Sequence, residues 1–287
     1  MKYSNFKLSG SRRLLIGFVL ISLMTMSILP LIGVQTNETR VSAWGNNPYA
    51  VTYCDSTSTH DKIMQAAITM LYLHGYYSEY SVYNSYRSYL CNAQAVTDTE
   101  GDVHSTYGTA SSSGHSWHLW DLSHQYPLIA FNAEFGEAKS ASTHSEKMWY
   151  LGRALHFVQD MTQPYHAGGI GVDEDHLEKD RHFLFEAAAT ALDASSLLSP
   201  ILYGSMSNGH NNGERFFYEA LNNGMQLLDY VRLFPSTDPV SPLELTIAQT
   251  GINIAAQLTA GLMLFFYYNY YNAPSGSGGG GSGIHPI

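Results

Sequence analysis

"ALHFVQDMTQPYHAGG", residues 154–169, holds His156, Asp160 and His166 at offsets of four and six, with Gln163 and Pro164 between the last two. The apolar spacing that leads into it, from "SEKMWYLGRALHFVQDM", predicts a helix that Pro164 ends. Positions i and i+4 share one helix face, so His156 and Asp160 point the same way. A turn at Gln163-Pro164 can bring His166 back toward that face. Twenty residues past Asp160 the device recurs: "DRHFLFEAA" carries His182 and Glu186, again at i and i+4. A neutral imidazole and a carboxylate are ligand types that suit Zn²⁺. One such pair is commonplace on helix surfaces. Two pairs with a histidine between them, within 31 residues, predict a metal site on facing helices.

The segments around this core read as helices too. "STHDKIMQAAITMLYLHG" opens on a capping Ser/Thr run and stops at Gly75. "SEYSVYNSYRSYLCNAQA" reads as one Tyr-rich helix, and residues 98–121 as a long polar loop. "YPLIAFNAEFGEAKSA", "HLEKDRHFLFEAAATALDA", "GERFFYEALNNGMQLLDYVRLF" and "PLELTIAQTGINIAAQLTAGLMLFFYYNY" complete the series. The expected class is all-α, a single multi-helix bundle of about eight helices. "LFFYYNYY" reads as core or interface. From Ala273 the chain turns to "PSGSGGGGSG", so residues 274–287 are expected to be a flexible tail.

Length and charge narrow the function. The chain has 287 residues and a net charge of −10. The first 43 residues hold five Lys/Arg and one Asp/Glu, so the remainder sets 9 basic against 23 acidic residues. That balance repels polyanions and welcomes cations, so nucleic acid is not an expected partner. Lys2, Lys7, Arg12 and Arg13 precede an apolar run from Leu14 to Val34, followed by "VSA" at 41–43. The run could span a bilayer as an anchor. The small residues favour an export signal cut between Ala43 and Trp44, giving a secreted protein; an uncut leader would tether it to the membrane. Residues 1–43 are thus read as the leader and 44–273 as the functional domain. The two cysteines, Cys54 and Cys91, are expected to pair in an exported chain, the alternative being two buried thiols.

"LHFVQDMTQPYHA" closely resembles the LHxxxDxxQPxHA signature of the bacterial zinc-dependent phospholipases C, and "RHFLFE" resembles the family's following HxxxE helix. The resemblance implies an all-α domain with three zinc ions, spanning Trp44 to about Tyr271. Family members begin, after processing, with a tryptophan whose free amine and carbonyl bind zinc, and Trp44 follows the expected cut in "VSAWGNN". An α-amine has a pKa near 8 and can deprotonate to bind metal. The family's next histidine is matched by His60 in "STHDKIM", 16 residues on. "WHLWD" offers His118, and "EGDVH" offers Asp102. His115 competes with His118, and Asp98 with Asp102.

By this resemblance, Asp102, His118, His156 and Asp160 would hold one zinc. Trp44 and His60 would hold a second, with Asp160 bridging, and His166, His182 and Glu186 the third. Asp102 could also be the general base. The implied reaction is hydrolysis of a phospholipid's phosphodiester at a membrane surface, by a monomer. Choline selectivity is not implied, since the N-terminal stretch is "WGNNPYA" and Val103 follows Asp102. The membrane-binding β-domain of the toxin branch is not expected, since the tail stands in its place. Two other readings use the same residues. A single-strand-specific zinc nuclease shares the fold and the Trp-Gly start, but places its first histidine about five residues past the tryptophan and ends on HxxxD. A membrane-tethered, non-catalytic metal-binding protein would follow from an uncut leader.

Overall fold

A computed structural model describes residues 58–99, 125–168, 176–203, 212–231 and 240–272, all within one compact unit that starts at Val41. Among them are nine α-helices and no strand: α1 Thr59–Leu73, α2 Tyr77–Ser85, α3 Arg87–Thr99, α4 Tyr126–Ser140, α5 His144–Asp160, α6 Pro164–Gly168, α7 His176–Ala189, α8 Asn212–Val231 and α9 Pro242–Phe266. A π-helical turn, Tyr267–Tyr271, prolongs α9. The all-α expectation holds. The Tyr-rich segment, expected as one helix, is two. The Ser85 hydroxyl donates back to the Val82 carbonyl at 2.7 Å, a local bond that competes with helix continuation. The chain turns at Tyr86, and Tyr83 reaches across to donate to the Met263 carbonyl on α9 at 2.6 Å. α3 also runs on to Thr99, past the point where the loop was expected to begin.

The helix ends follow from local chemistry. α1 closes with two backbone bonds, Tyr76 N–H to Leu71 O at 2.9 Å and Gly75 N–H to Tyr72 O at 3.1 Å. That closure needs a left-handed residue, and Gly75 supplies it with φ +84°. α5 and α9 each begin with a reciprocal capping box, Thr143 with Glu146 and Ser241 with Glu244. Each such cap contributes about 1 kcal/mol.

α5 is the inner helix. It packs against α3, α4, α8, α9 and α1. Its contact with α3 depends on Gly152, where a Cβ would stand 2.7 Å from the Leu90 carbonyl and 2.8 Å from the Ala93 methyl. Arg153 ties it to α4 through a buried ion pair, Nε to Glu134 Oε1 at 2.8 Å. α9 packs against α1, α5, α7 and α8. It is long and apolar enough to cross a membrane, but 72% of its apolar window is buried in the molecule. Gly251, Ala255, Ala256 and Ala260 keep its buried side slim, so neighbouring helices approach closely. The bundle therefore brings the start of α1 and the end of α5 to one place.

Candidate metal centre

Ser58 caps α1, its hydroxyl accepting from Asp61 N–H at 3.1 Å. His60 thus enters in the first turn of α1, fully buried. His156 and Asp160 occupy the last turn of α5 and are also buried. His60 Nε2 stands 3.3 Å from Asp160 Oδ1, and His156 Nε2 stands 3.1 Å from Asp160 Oδ2. The two imidazole centroids are 4.3 Å apart. The two carboxylate oxygens therefore face different histidines.

The turn after Asp160 is built to return His166. Thr162 Oγ donates to the Gln159 carbonyl at 2.7 Å, closing the end of α5. Pro164 opens α6, where its missing N–H costs nothing. Gln163 then acts as a cap: its Oε1 accepts from the backbone N–H groups of Tyr165 and of His166, the latter at 2.9 Å. His166 Nδ1 comes within 4.0 Å of Asp160 Oδ2. α8 seats this turn at Gly224, where any side chain would run into the Met161 carbonyl and the Ala167 methyl.

α7 supplies the remaining groups. His166 Nε2 and His182 Nε2 each stand 2.9 Å from Glu186 Oε1. Gln163 Nε2 donates to that same oxygen at 3.1 Å. Tyr165 stacks flat on the His182 ring, with centroids 5.2 Å apart. Burial pushes the Glu186 carboxyl up, but the adjacent His182 and His166 outweigh it and hold Glu186 well below the ordinary carboxylate range. With no metal bound, Glu186 is thus ionised.

Among the described residues, two groups can hold a metal ion: His60, His156 and Asp160, and His166, His182 and Glu186. Within each, the ligand atoms lie within 4.8 Å of one another. Ligands of a tetrahedral zinc at 2.0–2.1 Å stand about 3.3 Å apart, close to the 2.9–3.3 Å separations measured between each histidine and its carboxylate. Two imidazoles and a carboxylate are a donor set that fits zinc. Six of the nine expected ligands are thus brought together from α1, α5, α6 and α7. Trp44, Asp102, His115 and His118 lie outside the described residues, and so does Cys54. Asp98 falls in the last turn of α3, and Cys91 is fully buried on the same helix. Sequence reasoning missed Gln159, Thr259 and Lys62. The Gln-Pro pair of the signature marked Gln163, but nothing marked the other three.

Fold and site define the class: an all-α protein with two adjoining groups of two histidines and one carboxylate. The particular likeness is to a toxin. The structure matches "Alpha Toxin from Clostridium Absonum" with a TM-score of 0.55 and 18% identity, over 76% of this chain and 65% of that one. An alpha-toxin of Clostridium perfringens, isolated from an avian strain, matches with a TM-score of 0.49 and 16% identity, over 77% of this chain. The chain spans about two thirds of the toxins' length. The first likeness is one of fold. No family model and no curated protein matches the sequence.

Proposed function

We propose that the chain is an exported zinc-dependent phospholipase C, cleaving glycerophospholipids to diacylglycerol and a phosphorylated head group. The observation that carries this reading is the convergence of His60, His156, Asp160, His166, His182 and Glu186 into two buried or half-buried ligand groups. All six also fall on positions where the sequence resembles that family's motifs. In this reading Trp44, Asp102 and His118 complete three sites, and Asp160 serves two of them. Zinc, when bound, supplies positive charge for the phosphodiester oxygens and eases deprotonation of the attacking water. The chain's own residues do the rest. Asp160 spans two histidines, Glu186 stays ionised, and Asp102 takes the proton.

Export explains the N-terminus in this reading. Before cleavage the Trp44 nitrogen belongs to an amide whose lone pair is delocalised. After cleavage behind Ala43 it is an amine able to bind metal. An oxidising exterior also suits a Cys54–Cys91 disulfide. The test is to assay the processed protein on phosphatidylcholine vesicles and on single-stranded DNA, with metal analysis. The proposal expects about three zinc ions per chain, diacylglycerol release, and no nicking of DNA. DNA cleavage without lipid hydrolysis would make it a nuclease. Bound zinc with neither activity would make it a metal-binding protein. A second comparison starts one protein at Trp44 and the other two residues earlier. The longer form should bind about one zinc fewer and release diacylglycerol far more slowly.

A further inference from the structure

Gln159 lies outside the ligand set, in a variable position of the signature, yet it is fully buried beside it. Its Oε1 is 2.7 Å from His60 Nδ1, and its Nε2 donates to Thr259 Oγ on α9 at 3.2 Å. We propose that Gln159 is a positioning residue: anchored by Thr259, it sets the tautomer of His60 so that Nε2 is the ligating atom. This inference rests on the metal-centre reading above.

The Gln159 amide presents its oxygen to His60 and its NH₂ group to the Thr259 hydroxyl. An amide oxygen can only accept, so His60 Nδ1 carries a proton. In the neutral ring Nε2 then bears the lone pair, and Nε2 is the atom that faces Asp160. A hydrogen bond to the other ring nitrogen of a ligating histidine fixes its tautomer and ring orientation. Thr259 is itself fully buried, and α9 packs along α1. The anchor therefore belongs to the core and not to a mobile surface. Gln163 serves the other group differently: its oxygen accepts from backbone N–H groups and its nitrogen donates to Glu186. It holds a turn and a carboxylate, and does not select a tautomer.

Three variants test this. Gln159→Leu keeps the bulk and removes both bonds. Thr259→Val frees the amide to turn over. Gln159→Glu keeps an acceptor for His60. The first readout is ¹⁵N-histidine NMR of the metal-free protein above the histidine titration range. Wild type should show the proton on His60 Nδ1, Gln159→Leu a mixture with the Nε2–H form, and Gln159→Glu the wild-type pattern. The second readout is zinc affinity by chelator competition, in a His182→Ala background that disables the second group. Gln159→Leu should weaken binding about 10- to 100-fold, Thr259→Val less, and Gln159→Glu little or not at all. A bare Nδ1 in the wild type would overturn the proposal, as would equal losses in the Leu and Glu variants, which mark a packing role. Should the wild-type background bind no zinc, the metal reading fails while the NMR result still decides the tautomer.

Discussion

The two ligand groups have the same composition and different surroundings. His60, His156 and Asp160 are sealed under α9 and beside α3, and the side chains of His156 and Asp160 are at most 2% exposed. His166, His182 and Glu186 keep 12–14% of their side-chain surface in contact with solvent. The first group is assembled across the bundle, with 95 residues between His60 and His156. The second comes from a turn and one neighbouring helix. A buried group must be held by partners in the core, hence Gln159 and Thr259. The wetter group is held at its turn, where the Gln163 amide donates to Glu186.

The largest effect should come from the carboxylate that faces both histidines of the buried group. If Asp160 serves two ions, Asp160→Asn disturbs both. Loss of an outer-shell partner alone costs about 10- to 100-fold, so loss of this ligand should lower turnover by more than that, with zinc lost from the buried group; a loss under tenfold would rule out such a role. Glu186→Gln keeps the shape and removes one charge. It should lower activity by about 100-fold while zinc analysis finds the buried group still loaded. Near-normal turnover would reduce His182 and Glu186 to a helix-surface contact.

Chelator treatment sharpens the contrast without mutation. Metal should leave in two phases, the wetter group emptying first; loss from the buried group first, read by metal analysis of Glu186→Gln alongside wild type, would reverse the order. A smaller effect is expected where α1 meets α7. Lys62 Nζ donates to the carbonyls of Thr190 at 2.7 Å and Leu192 at 3.1 Å, just past the end of α7. It thereby links the helix of His60 to the helix of His182. Lys62→Met should cost about 1–3 kcal/mol, read as a melting temperature lower by several degrees. Lys62 Nζ also stands 3.1 Å from Asp193 Oδ1, but Asp193→Asn should change little, because that carboxylate is 86% exposed.

The smallest effect lies away from both groups. The Tyr268 hydroxyl donates to Glu79. Burial, and then that bond, raise its pKa above the ordinary value of 10.0. A raised pKa contributes stability that is fully present below the unfolded value and is lost as pH rises through the folded one. Stability toward urea should therefore fall as pH rises above about 10. Tyr268→Phe should flatten that slope and leave zinc content unchanged.

Much of this was legible in the chain. Helical period, capping residues and Pro164 marked the elements, because those signals act within one or two turns. The pairs His156 with Asp160 and His182 with Glu186 were legible for the same reason: i and i+4 meet on any helix. The break at Tyr86 was not, since the local sequence also allows a continuous helix, and the Ser85 bond to the Val82 carbonyl and the reach of Tyr83 to α9, 180 residues away, are seen only in the fold. His60 could be joined to the α5 pair only through family resemblance. Tertiary structure alone decided that Asp160 stands between His60 and His156, and that Gln159 is held by Thr259, 100 residues on. Local sequence sets which face a side chain occupies, while the packing of α9 across α1 and α5 sets which faces meet.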